Sequence, residues 1–319
     1  MGHSDRPEKK FIVSIGGNTI IRRGDKGTIE EQTGNTRLAC GYIARLFSGG
    51  KRVIITHGNG PIVGNIIIRN EAAKGIIPPM PIYICGADSE GGMGFMIQQA
   101  LHNELSIVHS ITEAVTIVTQ VVVDRNDPAF NDPSKPVGPY YTKEEALTLT
   151  AAKGWVIKED SLRGWRRSVA SPRPVRIVEA GVIKRLFEEG VIVIAAGGGG
   201  VPVIEREGGA LAGVDAVIDK DLATSLLGKV VGAEVFINLT EIDRVYIDFG
   251  KASAHGLAKI RVKEAKRYLA QGEFAPGSMG PKVEAAIEFI EAGGKEVIIT
   301  SPELLSDALQ GRAGTSVIA

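Results

Sequence analysis

Four glycine-rich segments stand where a chain could grip an anion: Gly16-Gly17-Asn18, Gly58-Asn59-Gly60, Gly197–Gly200 and Gly277-Ser278-Met279-Gly280. Each follows an apolar run, the last one more distantly. At the carboxyl ends of strands in an open α/β sheet, helix N-termini and free backbone N–H groups favour phosphate or carboxylate ligands. A single such segment reads equally well as a tight turn. Three lysines add charge: Lys135 between Pro133 and Pro136, Lys220 flanked by Asp219 and Asp221, and Lys282 after Gly280-Pro281 at an expected helix start. A lysine at a helix N-terminus opposes the macrodipole, so Lys282 calls for an anionic partner. Each lysine taken alone also fits a solvated surface position.

Two phosphate motifs are absent. No G-x-x-x-x-G-K-[ST] occurs, since Gly250-Lys251 is followed by Ala252, which excludes a P-loop. The run from Gly58 to Gly64 holds one residue too many for the dinucleotide fingerprint.

Positioning these residues requires a parallel sheet, and the first half of the chain alternates accordingly. Strands are expected at Phe11–Ile15, Val53–Thr56 and Val115–Val123. A helix is expected from Gln32 to Ser48 with Leu38, Tyr42, Ile43 and Leu46 near one face, closed by Gly49-Gly50, and another over Gly91 to Leu105. From Asp124 to Arg176 the pattern breaks into proline, glycine and charge. Connections inside domains usually run about 4–6 residues, so this stretch reads as an inserted subdomain or lid. Alternation then resumes with a helix near Val178–Glu189 and a strand at Val191–Ala196. A helix from Lys220, a strand at Val235–Leu239, a helix bearing Val283, Ala286, Ile287 and Ile290, and a strand at Val297–Thr300 complete the pattern.

Composition bounds the rest. The chain has 319 residues with 37 basic and 37 acidic side chains, so zero net charge removes the usual electrostatic case for nucleic-acid or anionic-membrane binding. Hydrophobic residues at 44% support a packed core, and the 40 glycines point to turns and close backbone approaches. No apolar run reaches the roughly 18–20 residues of a membrane span. Cys40 and Cys85 form no CxxC pair, which suits a reducing cytoplasm better than a disulfide framework or a zinc site. Residues 1–10 read as a solvated, disordered leader.

Longer motifs carry a family resemblance. IGGNTI (15–20), HGNGPIVG (57–64), QVVVDRNDPAFNDPSKPVGPYY (120–141), GWRRSVASPRP (164–174), AAGGGGVPVI (195–204), AVIDKDLAT (216–224), LTEIDRVYIDFGK (239–251) and FAPGSMGPKVEAAIEFI (274–290) resemble those of the carbamate kinases, within the amino-acid kinase superfamily. The resemblance runs from about Phe11 to the C-terminus. It implies a three-layer α/β/α sandwich with a central, mainly parallel sheet, a single kinase domain over residues 11–319, and a protruding subdomain inserted at 124–176. Many amino-acid kinases carry a lysine on the first strand where this chain has Val13-Ser14-Ile15. Carbamate kinases supply a replacement from the insertion, here Lys135.

The resemblance further implies reversible phosphoryl transfer between ATP and carbamate, giving ADP and carbamoyl phosphate. Lys135, Lys220 and Lys282 would neutralise phosphates and Asp221 would orient the lysines. Gly16, Gly17, Asn18, Gly58, Asn59 and Gly60 would hold carbamate and the transferring group through N–H donors. Asp219, Tyr246, Ala275, Pro276 and Met279 would border the nucleotide, with Asp219 alternatively a helix N-cap. Mg²⁺ would bind mainly through nucleotide oxygens and water, without a protein metal site. A cytoplasmic homodimer in arginine metabolism is implied, with its physiological direction open. Carbamate is already an anionic nucleophile, so His57 is expected to be structural rather than a base. Two alternatives remain at this level: a kinase for a longer carboxylate such as acetylglutamate or aspartate, and a non-catalytic nucleotide-sensing relative. The insertion, the lack of an appended regulatory domain, and the presence of all three lysines and Asp221 weigh against them.

Overall fold

The computed structural model describes residues 9–22, 24–47, 51–159, 164–275 and 277–319. The expected leader up to Glu8, the helix stop Gly49-Gly50 and the site residue Pro276 lie outside them. The first third comprises β1 (Lys10–Ile15), α1 (Gly17–Ile20), α2 (Ile29–Phe47), β2 (Arg52–His57), α3 (Gly60–Ala73), α4 (Ile82–Ile107), β3 (Ala114–Thr116) and β4 (Gln120–Val123). The middle holds β5 (Lys135–Tyr141), α5 (Lys143–Lys153), β6 (Ile157–Glu159), β7 (Trp165–Val169) and β8 (Pro174–Ile177). Then come α6 (Ala180–Glu188), β9 (Ile192–Ile194), β10 (Val201–Glu205), β11 (Leu211–Gly213), α7 (Lys220–Val231), β12 (Val235–Leu239), β13 (Val245–Ile247), β14 (His255–Leu257), β15 (Lys259–Arg261), α8 (Val262–Ala270), α9 (Met279–Glu291), β16 (Glu296–Thr300), α10 (Leu305–Leu309) and β17 (Thr315–Ile318).

Eight strands form the main sheet in the order β15-β17-β16-β12-β1-β2-β9-β3. Every neighbouring pair is parallel except β16 with β17. Strand side chains alternate between faces, and both faces are apolar, as a sheet covered on both sides requires. Ile12, Ile54, Val193 and Phe236 point into a core shared with α6, α7 and α9, while Val13, Ile55, Ile194 and Ile237 point into a second core with α2, α4 and α10. The result is the expected three-layer sandwich.

A four-stranded sheet, β11-β10-β4-β8, lies beyond the main one. The expected strand Val115–Val123 is in fact two: β3 belongs to the main sheet and β4 to the second, with the chain crossing at Ile117–Thr119. The neighbouring β9–β10 segment crosses alongside it through Gly197–Gly200, and the two crossings are bonded together, Ala196 N–H to Thr119 Oγ1 and Val201 N–H to Thr119 O. A continuous β-branched sequence cannot reveal such a change of sheet. The excursion at 124–173 starts from β4 and returns on its antiparallel neighbour β8, so Pro174–Arg176 lie in that sheet and not in the excursion. Within the excursion, β5-β7-β6 form a separate three-stranded sheet with α5 beside it.

Two helices differ from their sequence patterns. On α2 the buried stripe runs through Gln32, Thr36, Cys40, Ile43 and Phe47, while Leu38 is 54% exposed. Polar Gln32 and Thr36 disguise the phase, yet both bond locally, to Gly27 O and Gln32 O. Helix α4 starts nine residues before Gly91, where Asp215 Oδ1 accepts the Ile82 N–H at 2.8 Å. Packing against α2 outweighs its glycines. Finally, β1 begins at Lys10, inside the expected leader.

Candidate active site

Strands β1, β2 and β12 run parallel side by side, so their carboxyl ends open on one edge. A cavity of about 500 Å³ lies there. It is lined by the glycine-loop residues Gly16, Gly17, Asn18, Gly58, Asn59 and Gly60, by the charged Lys135, Asp219, Lys220, Asp221 and Lys282, and by Tyr246, Ala275 and Met279. Every expected site residue among the described ones therefore reaches a single cavity.

The charged centre is built around Asp221, in the first turn of α7. Its Oδ1 accepts from Lys220 Nζ at 2.8 Å and its Oδ2 from Lys282 Nζ at 3.1 Å. Asn238, from β12, completes the cluster: its Nδ2 donates to Asp221 Oδ1 at 2.8 Å and its Oδ1 accepts from Lys282 at 3.3 Å. Burial would raise the Asp221 carboxyl, but the two ammonium groups hold it well below the usual carboxylate range. Lys220 is pushed down to about 8 because burial and nearby Lys282 outweigh the opposing pull of Asp221. Ser14 Oγ accepts from Lys220 Nζ at 2.7 Å, so the first strand meets the lysine supplied by α7.

Lys135, at the start of β5, reaches back from the excursion to place Nζ 2.8 Å from Asp219 Oδ2. Asp219 also caps α7, its Oδ1 accepting from the Asp221 N–H at 2.9 Å. One carboxylate thus serves both as cap and as lysine partner.

The glycine loops interlock. A Cβ on Gly58 would lie 2.8 Å from Gly17 N and 3.1 Å from Lys220 Cδ, so only glycine permits this approach. The expectation that all these residues offer N–H donors needs correction at two positions. Gly16 N–H donates to Leu239 O and Gly58 N–H to Ile15 O, continuing the sheet ladders. The amides that remain are those of Gly17, Asn18, Asn59 and Gly60, at the N-cap or in the first turns of α1 and α3, where intrahelical acceptors do not exist. Asn59 turns its side chain inward, donating to Ser89 Oγ at 2.7 Å. Gly197–Gly200 is also not a cradle: its first three glycines are buried, and only Gly198 borders the cavity.

Tyr246 and Phe249, which also line the cavity, pack edge to face with ring centroids 6.2 Å apart, and Phe249 remains 74% exposed. Phe249, Asn238 and Ser14 were not identified from sequence. The available signal for Phe249 was its place three residues after Tyr246 within the LTEIDRVYIDFGK segment (239–251). His57 is fully buried and its imidazole is lowered to about 4, chiefly by burial. It does not border the cavity. Among the described residues no group of three or more His, Cys, Asp or Glu could hold a metal ion.

Residues 9–301 match the model of the amino acid kinase family. A carbamate kinase of Pyrococcus furiosus is 48% identical over 97% of this chain and 99% of its own length. One from Thermococcus kodakarensis is 50% identical, with the same coverage. Among solved structures, carbamate kinase from Giardia lamblia bound to AMP-PNP superposes with a TM-score of 0.92 at 44% identity, covering 98% of this chain and 99% of that one. By sequence, fold and the assembly of its site, the chain belongs to the amino acid kinase family and, within it, to the carbamate kinases.

Proposed function

We propose that the protein transfers a phosphoryl group reversibly between ATP and carbamate, giving ADP and carbamoyl phosphate. The observation that carries this reading is the convergence of Lys135, Lys220 and Lys282, from three distant segments, beside the glycine loops. Phosphoryl transfer passes through a loose transition state with charge spread over equatorial oxygens, so it needs positioning and positive charge. Lys220 and Lys282, held apart by Asp221, would meet the transferring group, and Lys135 would approach from the excursion. The amides of Gly17, Asn18 and Gly60 would orient the small anionic acceptor. Carbamate attacks through an oxygen that is already anionic, so no base is required, and the buried, neutral His57 acts structurally. Tyr246, Phe249, Ala275 and Met279 would take the nucleoside.

Mg²⁺ enters as part of the nucleotide substrate, carried by phosphate oxygens and water. In this reading residues 10–319 form one kinase domain with the excursion at 124–173 inserted in it, and the protein works as a cytoplasmic homodimer. Among the described residues no helix is long and apolar enough to cross a membrane.

The test mixes purified protein with ADP, Mg²⁺ and carbamoyl phosphate. ATP should form at micromolar enzyme; its absence, or faster ADP formation from ATP with acetylglutamate or aspartate than with carbamate, overturns the assignment.

A further inference from the structure

Helix α4 does not border the glycine-loop cavity, yet two of its consecutive residues grip the segments behind it. Ser89 Oγ accepts from Asn59 Nδ2 at 2.7 Å, tying the helix to the Gly58–Gly60 loop. Glu90 Oε1 accepts from the Gly197 N–H at 2.9 Å, tying it to the Gly197–Gly200 turn. That turn is wedged between the two halves of the site. A Cβ on Gly197 would lie 2.3 Å from His57 Nε2, one on Gly198 2.1 Å from Asn59 Nδ2, and one on Gly199 2.4 Å from Ile218 O. Asn59 precedes the first turn of α3, and Ile218 directly precedes Asp219 and Lys220.

We propose that Ser89 and Glu90 are positioning residues: by fixing the Gly197–Gly200 turn against Asn59, they set the distance between the α3 amides and the Asp219–Lys220 segment. This rests on the phosphoryl-transfer reading above. Glu90 is 1% exposed and its Oε2 has no hydrogen-bond partner among the described residues, nor has His57 Nε2, which lies with Glu90 Cγ against the position a Cβ on Gly197 would take. Keeping such a carboxyl buried is costly, and an apolar residue would fill the space without that penalty. What Glu90 supplies is an acceptor for Gly197 and for Thr119, on the crossing bonded beside that turn. Burial, with Glu179 nearby, raises its carboxyl to about 8 against the opposing bonds from Thr119 and Gly197. At neutral pH it is a neutral acceptor, which glutamine can imitate and the shorter aspartate cannot.

Glu90→Gln and Glu90→Asp separate reach from charge. If reach matters, Glu90→Gln retains kcat within about threefold, and Glu90→Asp loses on the order of 10-fold to 10²-fold with an unchanged KM for ADP, the scale expected of small misplacements. Should Glu90→Asp not fold, Ser89→Ala reads the same helix at the other loop, with the same kcat loss expected. A Glu90→Gln enzyme as damaged as Glu90→Asp, or full kcat in Glu90→Asp or Ser89→Ala, overturns the proposal. Amide resonances of ¹⁵N-glycine-labelled protein report Gly58, Gly60 and Gly198 without turnover. They should move in Glu90→Asp and stay in place in Glu90→Gln. Unmoved resonances in Glu90→Asp defeat the positioning role even if carbamoyl phosphate proves not to be the substrate, whereas a wild type without turnover defeats only the functional reading.

Discussion

Lys135 Nζ, carried by the excursion, lies 2.8 Å from Asp219 Oδ2, the carboxylate that caps α7. The pair adds to the Val217 N–H to Ala170 O bond and the Arg167–Asp215 ion pair that join the same two segments, and it places a cation in the cavity lining. The Lys135 side chain is 35% exposed, so the pair adds little to stability. Lys135→Ala should therefore leave the melting temperature almost unchanged while lowering kcat by about 10²–10³-fold, the scale of removing one transition-state donor. Asp219→Ala should behave differently, losing about 1 kcal/mol of stability with the helix cap. Wild-type turnover in Lys135→Ala would remove the excursion from the chemistry.

Asp221 separates Lys220 from Lys282, and its removal tests electrostatics rather than shape. Lys220→Ala and Lys282→Ala should each cost several kcal/mol of transition-state stabilisation in folded protein. Asp221→Ala leaves two lysines facing each other without the carboxylate between them, with only Asp219 nearby, a break expected to destabilise the fold by roughly 3–5 kcal/mol. In Asp221→Asn, Lys220 loses the stronger of the two carboxylates that raise it, Asp219 being the other, and falls below about 8. The alkaline decline of activity should then move to lower pH, and an unmoved decline in a folded Asp221→Asn enzyme would show that Lys220 does not govern that limb.

Stability should depend on pH through two buried groups of opposite sense. Glu90 ordinarily ionises near 4.5 but holds its proton to about 8 in the fold. Between those values the folded state binds more protons, so this contribution to stability falls as pH rises. His57 ordinarily protonates near 6.5 but resists to about 4, so its contribution falls as pH drops through that window. From pH 6.5 to 8 only the Glu90 effect operates between these two. The melting temperature of Glu90→Gln, taken relative to wild type, should rise across that interval and level off above it; a constant difference refutes the raised carboxyl.

The strands and the three lysines were legible because they are local signals: apolar runs ended by glycine, and lysines set beside prolines or aspartates. Ser14, Asn238, Ser89 and Glu90 were not, because each acts on a partner far away in sequence; Asn238 is 17 residues from Asp221, and Glu90 is 107 from Gly197. Gly197–Gly200 was legible as a special turn, but its purpose was misread. Its glycines make room for His57, Asn59, Ile218 and Val121, and only the packed structure distinguishes that from a phosphate cradle. On α2 the two polar residues of the buried stripe shifted the apparent helix face toward Leu38.

The glycines of α4 allow the same distinction to be tested within one helix. Gly92 faces solvent and a Cβ there would meet nothing within 4 Å, whereas a Cβ on buried Gly94 would lie 2.2 Å from Thr116 Cγ2. In an exposed helical position alanine is better than glycine by about 0.8–1.0 kcal/mol, so Gly92→Ala should stabilise the protein by roughly that amount. Gly94→Ala gains the same propensity but must displace Thr116, a β-branched side chain on β3 whose backbone N–H is already bonded to Gln98 Oε1 of α4 at 2.9 Å. Helix and strand cannot separate without breaking that bond, so overpacking at about 1–3 kcal/mol should outweigh the gain. Urea midpoints should therefore move in opposite directions for the two variants. A shift of the same sign in both would mean that β3 yields freely, and that close packing of α4 does not hold the point where the chain leaves the main sheet.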